Sequence, residues 1–524
     1  MATRRPGRLQ RIAYDASPLN SVTPDIEARI GWLLAMSRLQ HEDPEAGDGR
    51  RFVAGLAEAG FPASRSLVSR WESGEIPVSY EAMTAYEEVL GLEAGRISSL
   101  TGYIRAAIPG VRTRVIRPQL DPTTPAFAAR LDELLDLAED GLALARDWQE
   151  LGWQLAVAPL VHLRASTWET LATRIVTVLP RSVRVPYRQY STAAMNLASL
   201  VRSHDFLVDA IGRYLADPDV QVVLNPLGLL DRLPTRRAAS IVLEMVEQPR
   251  SQPASRLAVW LATQKIARGD FTPEERARLD MIVLRRWRSG PARAADELAE
   301  LIAELPEGLR STLTSAASKA GQRKLGYVVE HGEEIAAARA REISVGLAES
   351  ARTRVPQQAA YDEDRMLPRL LREALFHRDS ERRHLASLLV SASPFGRAVA
   401  EEMLDLLADR EMPGWVRARA AVLVRYLCGD EHRVQMLRFL DDKDPAVATP
   451  VAQAFGHLAF SALSDQALRN SLGEQDTPLE RARLYALGMT GSPALASIAG
   501  SGQRSAWQRG GARWWLAQGS AIRA

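Results

Sequence analysis

From Pro125 onward the chain places its apolar residues almost wholly at helical spacing, and this pattern constrains the fold more than any other feature. Ala, Leu, Arg and Glu dominate, and Val and Ile rarely alternate with polar residues over strand lengths. Breaks fall at Pro180, Pro218, Pro226, Pro253, Pro306, Pro394, Pro413, Pro445 and Pro478. At 524 residues the chain is too long for one compact core, so several helical units are expected. Four helix starts, at Asp379, Pro413, Asp444 and Thr477, recur about every 31 to 35 residues. Each follows a polar or proline-containing turn and continues into Ala and Leu, the sign of helix pairs that bury one face on the next.

The run Val416 to Leu423, with Val-Arg-Ala-Arg-Ala-Ala after a Pro turn, is similar to HEAT-type repeats. The resemblance implies a helical solenoid over residues 371–524, in which Trp507, Trp514 and Trp515 close the last unit. Residues 125–370 show no such period and read as irregular helical hairpins. Trp148-Gln149-Glu150-Leu151-Gly152 has no counterpart one period later and is set aside as a repeat signature, while Asp217 to Val223 reads as the start of a degenerate unit. Proline-rich 109–124 reads as a linker, with Thr124 capping a new helix that has Pro125 at its first position.

The most specific chemistry lies between Ala63 and Ser79. Ser64 is a good N-cap, and Leu67, Val68 and Trp71 define one apolar helix face. The opposite face carries Arg65, Ser66, Ser69 and Arg70, short hydroxyls and guanidiniums that suit a major groove. Gly74 and Pro77 stop the helix, and Ser79 caps the next. The run Ser64 to Gly74 resembles the recognition helix and turn of the XRE family, the lambda-repressor-like helix-turn-helix regulators. That resemblance covers residues 24–108 and implies five helices, the others marked by Ile26, Ile30, Leu33 and Leu34, by Phe52, Val53, Leu56 and Ala57, by Met83, Tyr86 and Leu90, and by Ile97, Leu100 and Ile104. It implies double-stranded DNA as partner, bound by a homodimer at an inverted repeat. Two departures stand out. The connection from Leu39 to Gly49 is longer and more acidic than the family's, and Arg50 and Arg51 replace its polar residue at the start of the second helix.

Each residue also has a plainer role to weigh. Trp71 reads as core, Glu72 as a local partner of Arg70 or of the next helix, and Ser64 as a cap. Arg65 and Ser66 are assigned base contacts, with Ser69 and Arg70 beside them and Arg50 and Arg51 on phosphates. Arg5 and Arg8, with Arg4 and Arg11, belong to a basic, flexible arm over residues 1–23 that can follow phosphates or enter a minor groove. Arg105, Arg112, Arg114 and Arg117 form a second basic cluster. The net charge of +2 gives no global argument for nucleic acid, and the excess of Arg over four lysines reflects composition at large.

Little points to catalysis. The eight histidines form no His-Glu-x-x-His frame, and no phosphate loop ending in Gly-Lys-Ser/Thr is present. His377 and His384, seven apart, read as surface polarity on one helix, and Glu330, Glu333 and Glu334 beside His331 as a solvated face. The single Cys428 excludes an internal disulfide and reads as a buried thiol. No apolar run spans a bilayer and the N-terminus lacks a signal peptide's apolar core, so a cytoplasmic, nucleoid-associated protein is expected. The expectation is an all-α, non-enzymatic transcriptional regulator without metal or cofactor. Its helical region senses a signal or binds a protein or peptide. The alternative is an interaction scaffold in which the helix-turn-helix is an anchor or a protein-binding module.

Overall fold

The computed structural model describes residues 10–21, 23–108, 121–158, 161–289, 305–316, 335–355 and 361–523, with a few helical positions between 298 and 322. The fold is all-α, and among the described residues the only extended pairings are two isolated bridges. First in the chain come α1 (Ile26–Leu39), α2 (Gly49–Glu58), α3 (Arg65–Glu72), α4 (Tyr80–Val89) and α5 (Ser98–Ala107). Then follow α6 (Pro125–Asp140), α7 (Ala145–Val157), α8 (Ala165–Val178), α9 (Arg184–Ala198), α10 (His204–Ala216), α11 (Leu224–Leu229), α12 (Arg236–Glu247), α13 (Gln252–Arg268), α14 (Pro273–Ser289) and α15 (Glu307–Ala316). Next are α16 (Ala337–Arg354), α17 (Met366–Phe376), α18 (Ser380–Ala392), α19 (Gly396–Ala408), α20 (Gly414–Leu427), α21 (Arg433–Leu437) and α22 (Pro445–Phe455). The chain ends with α23 (Ala462–Ser471), α24 (Pro478–Thr490), α25 (Ala494–Gly500) and α26 (Ala506–Gln518).

These helices form two compact units, each built from two separate stretches of chain: residues 1–119 with 335–454, and residues 120–334 with 455–524. The sequence reading had kept 24–108 apart from everything that follows and joined 371–524 into one array. The division falls elsewhere because α1 is apolar on every side. Thirteen of its 14 residues are buried, so α2 to α5 cover only part of it and the later helices must cover the rest. Trp32 stacks on Phe395 with ring centroids 6.3 Å apart, and its indole N–H donates to Asp364 at 3.0 Å.

The expected flexible arm is also corrected from Gln10 onward. Ile12, Ala13 and Asp15 are buried, because Asp15 supplies a carboxylate to the buried guanidinium of Arg29, 2.8 Å from Nε. In the same unit His377 and His384 are not surface polarity. His377 caps α17 and binds the Leu19 carbonyl at 2.9 Å, while His384 bridges the hydroxyls of Tyr103 and Tyr426, each at 3.0 Å. Burial, reinforced by Arg425, pushes the His384 imidazole down to about 3. Cys428 is buried at the end of α20, and burial drives its thiol up to about 12.

In the other unit α7 crosses α9 at Gly152, where a Cβ would come within 2.9 Å of the Ala193 Cα. Asp217 to Val223 starts no helix. It follows α10 as a loop, and a Cβ at Gly510 or Gly511 of α26 would collide with the side chain of Asp219 or Gln221. Trp514 and Trp515 are buried in α26, with centroids 4.8 Å apart. His331, Glu330, Glu333 and Glu334 lie outside the described residues, as do Arg112, Arg114 and Arg117.

Candidate nucleic-acid interface

The expected reading helix forms as α3, and its two faces separate as the sequence requires. Ser64 is the N-cap, its hydroxyl accepting from the Leu67 N–H at 3.1 Å. Val68 and Trp71 are buried, and Trp71 lies among Phe61, 6.0 Å away, and Tyr86, 6.5 Å away. Gly74 adopts φ 72° and ends the helix, its N–H donating to Trp71 while that of Glu75 donates back to Arg70. Arg65, Ser66, Ser69 and Arg70 are all exposed, with Ser64 beside them. Asp48 caps α2 through the N–H groups of Arg50 and Arg51, whose side chains are also exposed.

The arginines differ in what holds them. Arg70 pairs with Glu75 at 2.9 Å and Arg51 with Glu45, both in the open. Such exposed pairs are worth about 1 kcal/mol or less and yield readily to a stronger anion. Arg65 and Arg50 have no ionic partner among the described residues. Arg5 and Arg8 lie outside those residues.

Glu72 does not pair with Arg70. It is buried and takes a two-point bond from Arg38 of α1, with Nε to Oε1 at 2.6 Å and Nη2 to Oε2 at 2.7 Å. Tyr86 and Gln10 also donate to it. Arg105 leaves the expected basic cluster, because it is buried against Glu27 at 2.9 Å and donates to the Val78 carbonyl. The residues that hold α3 in place escaped the sequence reading. They are Arg38, Gln10 and Gly31 of α1, where a Cβ would stand 2.7 Å from both Gly74 N and Trp71 O. Glu87, buried in α4, takes the N–H groups of Gly95, Ile97 and Ser98 and so seats the start of α5. The visible signal for α1 was two arginines, Arg29 and Arg38, set in an otherwise apolar helix.

No family model matches the chain, and no curated protein does. Four solved chains match. One is the crystal structure of an engineered protein, 14% identical, spanning 74% of this chain and 98% of its own, with a TM-score of 0.21, a likeness too slight to bear on fold or function.

Proposed function

We propose that the protein is a sequence-specific duplex-DNA-binding regulator that lays α3 in a major groove. The observation that carries this is the division of α3 into a locked face, Val68, Trp71 and Glu72, and an open face of Arg65, Ser66, Ser69 and Arg70. In this reading Arg65 and Ser66 meet base edges, while Arg50 and Arg51, at the start of α2, meet phosphates. Arg70 and Arg51 exchange their exposed carboxylates for DNA phosphate. Two copies on an inverted repeat, with half-sites about one helical turn apart, is the arrangement that the resemblance to XRE regulators suggests. The helical region supplies the signal or a protein contact, consistent with a solenoid's extended surface.

Selection of bound duplexes from a random pool tests this directly, and a defined motif is expected. Arg65→Ala should then cost about 1–3 kcal/mol and relax one base position. Arg50→Ala should weaken all sequences alike and lower the salt slope by about one. A pool without enrichment would overturn the reading. The exposed acidic stretch Glu42, Asp43 and Glu45 beside α2 favours the second reading, an interaction module that holds a basic protein surface. That module would pull down a partner from lysate whether or not DNA is removed by nuclease.

A further inference from the structure

We infer that Glu373 of α17 is a positioning residue for α3, the point through which the later helices fix the direction of the reading helix. The inference rests on the DNA-reading role proposed for α3 only for its consequence, not for its geometry. Glu373 is fully buried, and one of its oxygens, Oε1, accepts from three guanidiniums: Arg29 at 2.7 Å, Arg382 at 3.1 Å and Arg369 at 3.2 Å. Asp15 is the only other carboxylate on this group, bonded to Arg29 and 3.5 Å from Arg369. Three cations thus share two anions in a dry site, and Glu373 is the anion they have in common.

Arg29 belongs to α1, two residues before Gly31. At Gly31 the backbone of α1 touches the backbone at the end of α3 so closely that no side chain fits between them. A displacement of Arg29 is therefore passed to Trp71 and Gly74 without a compliant side chain in between. Two further ties run the same way. Trp32 is held by Asp364, itself bonded to the Met366 and Leu367 N–H groups. Gln40 donates to Tyr361 at 2.9 Å, and Gln10, which pairs there, also meets Glu72 at the end of α3. Every tie therefore starts on α17 or the turn before it and ends on α1 or α3.

The test uses the full chain with spin labels on Ser66→Cys of α3 and Arg397→Cys of α19, both exposed, Cys428 being buried. One narrow distance distribution is expected. Glu373→Gln keeps the Oε1 acceptor but removes the charge, and should broaden or shift that distribution while the helical circular dichroism stays. Should this variant fail to fold, Glu373→Asp keeps the charge and draws the carboxylate back, and the same change is expected. Distributions that overlay the parent in both variants would overturn the inference. In parallel, unlabelled Glu373→Gln should lose about tenfold or more in its preference for the selected duplex over a scrambled one, with scrambled binding within about twofold. A broadened distance with that preference intact would equally overturn the positioning role. If no duplex is ever enriched, the DNA reading fails and the distance measurement alone decides.

Discussion

Gly31 and His384 show how single side chains, or the lack of one, carry this architecture. At Gly31 the neighbours of an added Cβ are all backbone atoms, at 2.7 to 2.9 Å, so they cannot rotate aside. Gly31→Ala is expected to cost about 1–3 kcal/mol in urea denaturation, and an unchanged midpoint would show that α1 and α3 are free to separate. His384 makes a prediction about acid. Its folded pKa of about 3 lies below the ordinary 6.5, so the unfolded chain binds the extra proton between those values. Its contribution to stability is complete above pH 6.5 and falls away, at up to about 1.4 kcal/mol per pH unit, as the pH drops toward 3. Glu373 acts in the same sense over a lower window. Burial opposes its charge, but Arg29, Arg382 and Arg369 outweigh that and hold the carboxyl at about 2, against the ordinary 4.5. Stability from this group is therefore lost only as the pH falls from 4.5 toward 2. His384→Gln should flatten the unfolding free energy between pH 6.5 and 4.5, where Glu373 is silent, and an unaltered slope there would remove the assignment.

At the scale of elements, most helix starts could be read because capping is local. Asp379, Thr477, Ser64, Ser79 and Thr124 each cap the helix expected of them, and Pro413 and Asp444 precede theirs. A hydroxyl or carboxylate meets N–H groups two or three residues on, so the sequence window that contains the signal also contains its target. The open face of α3 was readable for the same reason. What α1 packs against was not. Arg29 and Glu373 are 344 residues apart, and no periodicity links an arginine in one helix to a glutamate in another. Glu72 was misassigned to Arg70 because nearness in sequence was taken for nearness in space, and the helix turns the two side chains to opposite sides.

At the scale of the molecule, the five N-terminal helices are not a detachable domain. A fragment ending at Gln119 would expose Trp32, Ile30 and the buried Arg29 without Glu373 or Phe395 to meet them. Such a fragment is expected to be aggregated or molten, giving dispersed amide spectra only when co-expressed with residues 335–454. A cooperative melt from the fragment alone would contradict this, and would also make the truncated protein a sound reagent for DNA selection. The later helices thus complete the core around α1.

That shared core also sets a timetable. Residues 120–334 must be synthesised between the two halves of the first unit. At about 5–20 residues per second, α1 waits roughly 10 to 40 s on the ribosome before Glu373 emerges. During that interval the nascent chain holds Trp32 and an uncompensated Arg29 with nothing of their own to cover them, which makes it a client for a holding chaperone. A nascent chain stalled before that residue would be unable to grip an operator, so any capacity to bind DNA arrives late in translation although the reading helix is made early.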